Sequence, residues 1–321
     1  GHPCFVQREL EHSTKTTALT WRSATGAGHT RVERPPSMTS EPHSETTSPR
    51  YIRVLSIAGS DSGGGAGIQA DLKTFAALGC YGMTAITAIT AQNTQGVRAI
   101  HGIPPEMLRA QIDAVVEDIG VDAVKIGMLH SPEIVAVVAD AVRRHRLPHV
   151  VLDPVMVATS GDRLMAAETV QVLVRELFPL AEVITPNLDE AALLLGHAID
   201  GPAALDAAAR ELLALGAPAV LLKGGHLAGD AVIDVLIETG GRLTRLEAPR
   251  IATRNGHGTG CTLSSAIAAY LAQGLPLAQA VKDARAYILG AIAAGAEVRT
   301  GQGAGPLNHG YAPVAQRVRK N

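Results

Sequence analysis

The stretch that decides the fold is Arg53-Val-Leu-Ser-Ile-Ala58, followed at once by Gly59-Ser-Asp-Ser-Gly-Gly-Gly-Ala-Gly67. The first part is a short apolar run typical of a buried strand, and the second is a glycine-rich loop. Beyond the loop, apolar residues recur at helical spacing from Ile68 to about Leu78. A strand, a tight loop and a helix in this order are typical of a parallel sheet covered by helices.

The same alternation continues along the chain. Apolar runs that end in polar or glycine residues occupy 123–127, 150–153, 183–185 and 219–223. Helical patterns occupy about 104–119, 131–146, 166–178, 187–195, 203–215, 259–273 and 277–294. A β-hairpin is predicted between 231–238 and 242–246. We therefore predict one α/β domain over residues 51–321, a three-layer α/β/α fold whose mostly parallel central sheet carries an antiparallel edge hairpin.

Composition excludes several classes of protein. The formal net charge of −2 gives no electrostatic case for nucleic acid or for an anionic membrane as a partner. No apolar run approaches the ~18–20 residues that a membrane-spanning helix needs. The three cysteines, Cys4, Cys80 and Cys261, are sparse and lack metal-ligand spacing, which indicates a reduced, cytoplasmic protein. Residues 1–50 are polar and aperiodic, without the apolar segment of a signal peptide, and we predict a disordered N-terminal extension there.

A second glycine-rich segment, Asn255-Gly-His-Gly-Thr-Gly-Cys261, comes directly before an apolar, alanine-rich helix. Glycines can turn successive backbone N–H groups into one concavity, and the helix adds unpaired N–H donors and the positive end of its dipole. The segment is therefore either an anion site, usually for phosphate, or only a tight turn before a packed helix. Cys261 favours the anion site, because a helix N-terminus stabilises a thiolate.

Several polar or glycine-rich segments follow predicted strands, and ligands of open α/β sheets bind at the carboxyl ends of strands. We expect one crevice to be formed by the 59–67 loop, Asp153, Thr185-Pro-Asn187, Lys223 and the 256–261 loop. A dinucleotide-binding loop is disfavoured because Gly82–Gln92 contains no carboxylate, and the 59–67 loop lacks the Gly-Lys-Ser/Thr ending of a P-loop.

Individual residues in this crevice have two interpretations each. Lys223 either neutralises transferring phosphate oxygens or is a solvated lysine at a strand end. Asn187 and Glu190, three residues apart, either hold Mg²⁺ through water or form a helix capping box. Asp71 lies on the first helix and faces either the crevice or solvent.

The amides of Gln92 and Asn93 either pair with a heteroaromatic ring or form a turn. Asp153-Pro154 either orients a cation or water, or marks a turn.

Seven segments, in order, resemble those of one enzyme family: Ala58–Thr74, Ala88–Thr94, Lys125–Met128, Asp153–Met156, Thr185–Glu190, Leu222–His226 and His257–Cys261. From about Ile52 to Pro306 the chain resembles the bacterial hydroxymethylpyrimidine/phosphomethylpyrimidine kinases of thiamin biosynthesis, which belong to the ribokinase-like superfamily. The resemblance implies phosphorylation by ATP of 4-amino-5-hydroxymethyl-2-methylpyrimidine and then of its monophosphate. It also implies a homodimer and a dependence on Mg²⁺, with a monovalent cation as a further candidate.

The resemblance implies roles for the matching residues. The pyrimidine pocket would be lined by Gly59, Ala66, Asp71, Gln92, Met128 and Val155, with Gln92 contacting a ring nitrogen or the amine. The catalytic anion hole would be formed by Gly258, Thr259, Gly260 and Cys261. ATP would be bound by Lys223, Asn187 and Thr259. Mg²⁺ would be held by Asn187, Glu190 and Asp153.

Two positions depart from wider patterns. Many sugar kinases of the superfamily carry an aspartate base where this chain has Cys261, so the thiol is either the base or only part of the anion hole. Gly256 stands where relatives usually have threonine, which should loosen the entry to the loop without changing its donors.

Two alternative functions stay open. A pyridoxal/pyridoxine kinase has the same fold and acts on a hydroxymethyl heteroaromatic of similar size, although Gln92 and the Gly-Thr-Gly-Cys261 ending favour the pyrimidine enzyme. A non-catalytic pyrimidine-binding protein belongs to a different class. Lys223, Asn187 and Glu190 argue against it, because a protein that only binds pyrimidine needs no triphosphate machinery.

Overall fold

The main sheet is built around two neighbouring strands near the middle of the fold, β2 (Arg53–Asp61) and β5 (Ala123–Ile126). Its other strands are β3 (Tyr81–Asn93), β4 (Gly96–Gly102), β6 (Val150–Leu152), β7 (Val183–Ile184), β8 (Ala219–Leu222), β9 (Ala231–Glu238) and β10 (Leu243–Pro249). The computed structural model describes residues 48–156, 165–227 and 229–320, and within them the strand order is β10-β9-β8-β7-β6-β5-β2-β3-β4. The strands from β8 to β3 in this order are parallel, which confirms the mostly parallel sheet.

Helices cover both faces of the sheet. They are α1 (Gly67–Ala77), α2 (Pro105–Asp118), α3 (Pro132–His145), α4 (Ala167–Leu177), α5 (Leu188–Leu195), α6 (Leu205–Leu213), α7 (Thr259–Ala272) and α8 (Leu277–Gly295). Helices α2 to α6 bury apolar residues such as Val138 against one face, where Leu55 and Ile57 of β2 point. Helices α1, α7 and α8 cover the other face, where Phe75 and Ile267 pack near Val54. The three-layer fold is confirmed, and none of these helices is long and apolar enough to span a membrane.

Local signals account for the helix ends. Helix α3 begins at Pro132, where a missing N–H costs nothing, and the Ser131 side chain accepts a hydrogen bond from the N–H of Ile134 at 3.4 Å. Every predicted helix is present, with ends that differ from the predicted ones by no more than two residues.

One edge of the sheet differs from the prediction. Strand β4 pairs antiparallel with β3, so antiparallel strands lie at both edges and not only at the β9–β10 hairpin. The turn between β3 and β4 is closed by the side chain of Asn93, whose Oδ1 accepts a hydrogen bond from the N–H of Gln95 at 2.9 Å. An asparagine followed by Thr94 and Gln95 is a weak turn signal, and the β3–β4 hairpin was therefore not predicted.

The predicted disordered extension, residues 1–50, lies almost wholly outside the described residues. Arg50 already belongs to β1 (Arg50–Tyr51), which pairs antiparallel with β11 (Val318–Arg319). The domain boundary at residue 51 stays a prediction.

An arginine cluster fixes this pairing to the main sheet. The buried carboxylate of Asp122 accepts hydrogen bonds from Arg50 at 2.6 Å, Arg53 at 3.1 Å and Arg319 at 3.2 Å. Burial alone would raise the pKa of Asp122, but Arg50 and Arg53 lower it to about 2. The cluster thus joins β1, β2 and β11 through one charged group.

We expect Asp122→Asn to lower the melting temperature at pH 7 by a few degrees, corresponding to about 2 kcal/mol. The folded-state pKa is below the ordinary 3.8, so the carboxylate stabilises the fold above pH 3.8, and this stabilisation is lost as the pH falls through about 2. The control is Asp140→Asn, since the half-exposed Asp140 also pairs with arginines and should contribute little. Equal losses in calorimetry for the two variants would contradict this account.

Candidate active site

A cavity of about 330 Å³ opens at the carboxyl ends of the parallel strands. It is lined by residues from all five of the segments predicted to converge there: the loop after β2, Asp153, Asn187, Lys223 and the segment 256–261. Strands β2, β5, β6 and β8 therefore bring together side chains that are far apart in the sequence. The predicted crevice is confirmed.

The two glycine-rich loops are held together by Asp61, a residue of the predicted 59–67 loop to which no role of its own was assigned. Its carboxylate accepts hydrogen bonds from the N–H groups of Gly63 at 2.8 Å and Ala66 at 2.9 Å within its own loop. It also lies 2.9 Å from Nε2 of His257 in the other loop. Burial would raise the pKa of Asp61, but His257 and the backbone donors hold it below its ordinary value. An aspartate within a glycine-rich loop was the only sequence signal for this contact.

Gly258 lies at the closest approach of these loops. Its φ of +85° is a left-handed conformation, and a Cβ added there would be 1.8 Å from the carbonyl oxygen of Gly65. Gly258 is also the N-cap of α7, and its carbonyl accepts the hydrogen bond of the Thr262 N–H at 2.9 Å. Only glycine satisfies both requirements at this position.

Behind Gly258, the N-terminus of α7 faces the cavity. The backbone N–H groups of Gly260 and Cys261 have no hydrogen-bond partner within residues 48–156, 165–227 and 229–320. Thr259 uses its N–H for a 3.3 Å bond to the carbonyl of Gly256. Free donors at the positive end of a helix favour an anion. The geometry therefore supports the Gly260 and Cys261 part of the anion hole predicted over Gly258–Cys261, whereas the N–H of Thr259 is already used.

Lys223 lies beneath this helix end. Its Nζ donates a 2.8 Å hydrogen bond to Oδ1 of Asp153, which also accepts one from Thr185 at 2.9 Å. A Cβ added to Gly260 would be 3.2 Å from Nζ of Lys223, so the ammonium group lies close to the free donors of the helix. Burial would lower the pKa of Lys223, but the charges of Asp153 and Glu190 raise it above its ordinary value. The interpretation of a solvated lysine is therefore wrong.

The capping-box interpretation of Asn187 and Glu190 is confirmed. Oδ1 of Asn187 accepts the N–H of Glu190 at 2.9 Å, and Oε2 of Glu190 accepts the N–H of Asn187 at 2.8 Å. Both residues nevertheless line the cavity. Burial raises the pKa of Glu190 to about 7, with Lys223 opposing the rise and Asp153 adding to it.

The residues predicted to hold Mg²⁺ fit that ion through water. Asp153 already accepts hydrogen bonds from Lys223 and Thr185. Burial would raise the pKa of Asp153, but the charges of Lys223 and Lys125 keep it below the ordinary value. No group of three His, Cys, Asp or Glu side chains suited to a metal occurs in the described part of the chain. Mg²⁺ often uses only one or two carboxylates together with water and substrate phosphates, and this donor set allows that.

Asp71 is placed differently from the prediction. It does not line the cavity and it does not face solvent, because its side chain is fully buried against Lys125. Lys125, which no prediction assigned to the site, lines the cavity instead. Its signal in the sequence was a lysine inside the apolar run Ala123–Ile126, where a charge needs a buried partner.

The remaining residues of the predicted pyrimidine pocket, Gly59, Ala66, Gln92, Met128 and Val155, all line the cavity. Gly59 lets Met128 approach, since a Cβ at residue 59 would be 2.7 Å from Cε of Met128. Their roles toward a ligand stay predictions.

The expected thiolate at Cys261 is not what the structure favours. Burial raises the pKa of Cys261 to about 11, although the charge of Lys125 acts in the opposite direction. At neutral pH the group is a thiol. The sequence signal was correct in placing Cys261 in the first turn of α7, but it gave no measure of burial or of the neighbouring Asp71 and Asp153 charges, which also raise the pKa.

The site has the parts that a small-molecule kinase needs: a helix N-terminus with free N–H donors, a buried lysine beside it and a pocket the size of a ring. Two solved structures with a similar fold are kinases. A pyridoxal kinase of Bacillus subtilis, solved as an ADP complex, is 40% identical and aligns with 81% of this chain and 98% of its own, with a TM-score of 0.75. A phosphomethylpyrimidine kinase of Clostridium difficile is 45% identical over 75% of this chain and 99% of its own, with a TM-score of 0.67.

The chain belongs to the phosphomethylpyrimidine kinase family, whose model matches residues 61–308. It is 57% identical over 257 residues to the hydroxymethylpyrimidine/phosphomethylpyrimidine kinase of Rhizobium meliloti. The aligned region covers 80% of this chain and 96% of that relative. The resemblance stated from the sequence motifs is thereby confirmed, as are the ribokinase-like fold and the assignment as a kinase.

Gly258→Ala should sharply reduce both the melting temperature and the turnover, because the new methyl group meets the Gly65 carbonyl at a left-handed backbone position. Gly256→Ala is the matched control two residues away. Its nearest neighbour would be 4.0 Å distant and its φ is not left-handed, so we expect a change within about 0.5 kcal/mol. Thermal unfolding and initial rates measure both variants. A tolerated Gly258→Ala would show that the two loops are not packed as described.

Proposed function

We propose that this kinase transfers the γ-phosphoryl group of ATP to 4-amino-5-hydroxymethyl-2-methylpyrimidine and then to the resulting monophosphate, which gives the pyrophosphate used in thiamin biosynthesis. The observation that supports the proposal most directly is that the ammonium group of Lys223 lies close to the free backbone N–H donors of Gly260 and Cys261. The names of the relatives support both substrates, and the ADP complex of the Bacillus subtilis pyridoxal kinase supports ATP as the donor.

Each transfer forms one bond and breaks one. An acceptor oxygen attacks the γ-phosphorus, the bond from this phosphorus to the β,γ-bridging oxygen breaks, and the electron pair leaves with ADP. The negative charge on the transferring group is held by the α7 N-terminus and by the Lys223 ammonium, which Asp153 orients. Mg²⁺, held through water near Asn187, Glu190 and Asp153, would neutralise phosphate charge. A monovalent cation is a further candidate at the same edge.

The two transfers place different demands on a base. In the first, the hydroxyl of the acceptor loses a proton as it attacks, and a phosphate oxygen or water takes up that proton. In the second, the attacking phosphate oxygen is already ionised at neutral pH, so no base is required. Cys261 has a raised pKa and is therefore a poor base in its resting state. We infer that its backbone N–H and its compact side chain shape the anion hole.

Pyridoxal kinase is the remaining alternative, because a pyridoxal kinase shares the fold and 40% of the aligned residues. It is favoured less, since the family model and the relative at 57% identity are both phosphomethylpyrimidine kinases. Non-catalytic pyrimidine binding is the weakest candidate, because the chain belongs to a kinase family.

The proposal also includes a cytoplasmic homodimer. The described cysteines, Cys80 and Cys261, are free thiols, which suits the reducing environment of the cytoplasm. The cytoplasm also supplies ATP. A dimer is suggested by the resemblance, and the β3–β4 hairpin offers exposed Ile89 and Ile100 for such a contact.

The central test is ATP turnover on three acceptors: the pyrimidine alcohol, its monophosphate and pyridoxal. We expect kcat/KM for the alcohol to exceed that for pyridoxal by at least about tenfold, since the pocket must satisfy different ring donors and acceptors. Both pyrimidine reactions should stop when Mg²⁺ is chelated. A preference for pyridoxal would establish the alternative, and tight pyrimidine binding without any product would establish a binding protein.

Cys261→Ala tests the role of the thiol. We expect kcat of the first transfer to fall by less than about tenfold, because removal of a general base usually costs ~10²–10⁴. The pH profile between 6 and 9 should keep its shape, since the wild-type thiol does not ionise in that range. A loss above about a hundredfold confined to the alcohol, with the monophosphate spared, would identify the thiol as the base after all.

A further inference from the structure

The cavity has a second buried lysine, which the mechanism described above does not use. Nζ of Lys125 lies 2.9 Å from both carboxylate oxygens of Asp71, and neither side chain has any exposed surface. The Asp71 carboxylate also accepts hydrogen bonds from Ser56 at 2.6 Å and from Ser265 at 2.7 Å. Apolar residues of similar volume often stabilise a core as well as such a pair does. Stability alone therefore does not explain why a charged pair lies beside the cavity.

The pair is oriented relative to the cavity. Lys125 lines the cavity wall, whereas Asp71 lies behind it on α1 and does not reach the wall. An ammonium group has three N–H donors, and two of those on Lys125 are directed to Asp71. The third has no partner among the residues that the structure describes. The positive end of the pair thus faces the cavity and the negative end faces the core.

The two lysines come from different parts of the sheet, since strands β7 and β6 lie between β8 and β5. Lys223 follows β8 and lies with Asn187 and Glu190, on the side proposed for ATP and Mg²⁺. Lys125 lies in β5, next to the strand that leads to Gly59 and close to Met128, on the side proposed for the pyrimidine ring. The side proposed for the pyrimidine ring therefore has a positive charge of its own.

We propose that the Lys125–Asp71 pair selects the phosphorylated form of the acceptor, a dianionic monophosphate ester on a hydroxymethyl heteroaromatic ring, for the second transfer. This rests on the proposed function. The first acceptor carries a neutral hydroxyl and the second carries two negative charges, so a fixed cation beside the acceptor distinguishes them. Lys125 acts across the cavity wall by its charge and is a specificity-determining residue. Because water does not reach the pair, solvent screens its field little, and the Asp71 carboxylate behind the ammonium group opposes only part of the field in the cavity.

Lys125 keeps this charge throughout the working pH range. Burial would lower its pKa, but the carboxylate of Asp71 raises it above the ordinary value for lysine. Cys261 and Asp153 lie near enough to act in the same direction. Gly127 leaves room for the ammonium group, since a Cβ there would be 3.0 Å from Nζ.

The test is the double variant Asp71→Asn, Lys125→Met, which removes both charges together and so leaves no unpaired buried ion. KM should rise at least about tenfold more for the monophosphate than for the alcohol, because only the monophosphate interacts strongly with the lost cation. Titration calorimetry of the monophosphate without ATP should show the same loss in binding. Equal changes for the two acceptors would overturn the proposal and leave the pair a structural role.

Ser56→Ala is the matched control. It removes one hydrogen bond from the same buried cluster but keeps both charges, so the ratio of the two KM values should stay unchanged. A shift in this ratio as large as that of the double variant would overturn the proposal. If the wild-type enzyme phosphorylates neither acceptor, the proposed function fails first. If it phosphorylates both acceptors and the double variant leaves the ratio of the two KM values unchanged, this inference fails alone.

A measurement without mutation covers the case in which the double variant does not fold. The second pKa of a phosphate monoester is about 6, so the ligand is mainly a monoanion at pH 5 and a dianion at pH 8. Calorimetry on the wild-type protein should give tighter binding of the monophosphate at pH 8, while the affinity for the alcohol changes much less. Equal affinity for the two ionic forms would exclude a charge that selects the dianion.

Discussion

The carboxylate of Asp61 is the constraint on which the site depends. It binds the backbone of its own loop and the imidazole of His257, a residue 196 positions further along the chain. Glycine-rich loops lose much conformational entropy on folding, and a single buried acceptor with several donors offsets part of that cost. Once the two loops are in contact, Gly258 can cap α7 at the cavity, and the free N–H groups of Gly260 and Cys261 point into it.

Lys125 and Lys223, which both line the cavity, are each held in an ion pair with an aspartate. Asp153 holds Lys223 and Asp71 holds Lys125, so the positive groups are fixed before any phosphate enters. Charged groups that are already in place do not need to reorganise during a transfer, which is the main way in which a protein lowers the barrier to phosphoryl transfer. The carboxylates also prevent the lysines from losing their protons in a buried site.

The sequence allowed the architecture and most of the site to be predicted, because both depend on local signals. The spacing of apolar residues predicted the helices, and the polar residues at the ends of strands predicted the position of the cavity. Features that depend on long-range contacts were missed. The link from Asp61 to His257 and the pair of Asp71 with Lys125 join segments with no common local pattern. The raised pKa of Cys261 depends on burial and on distant charges, and β4 depends on a turn with weak local preference.

The pairing of β1 with β11 places the two ends of the described fold side by side, joined by Asp122 and its arginines. The order of the strands along the sequence could therefore be changed without changing their arrangement in the sheet. A short linker between residues 320 and 49, with a new opening in the exposed turn at Gly240, would give a circular permutant that keeps every strand neighbour and the whole cavity. Such a chain would present its termini beside the β9–β10 edge, far along the sheet from the arginine cluster, and would offer a different attachment point for fusion partners.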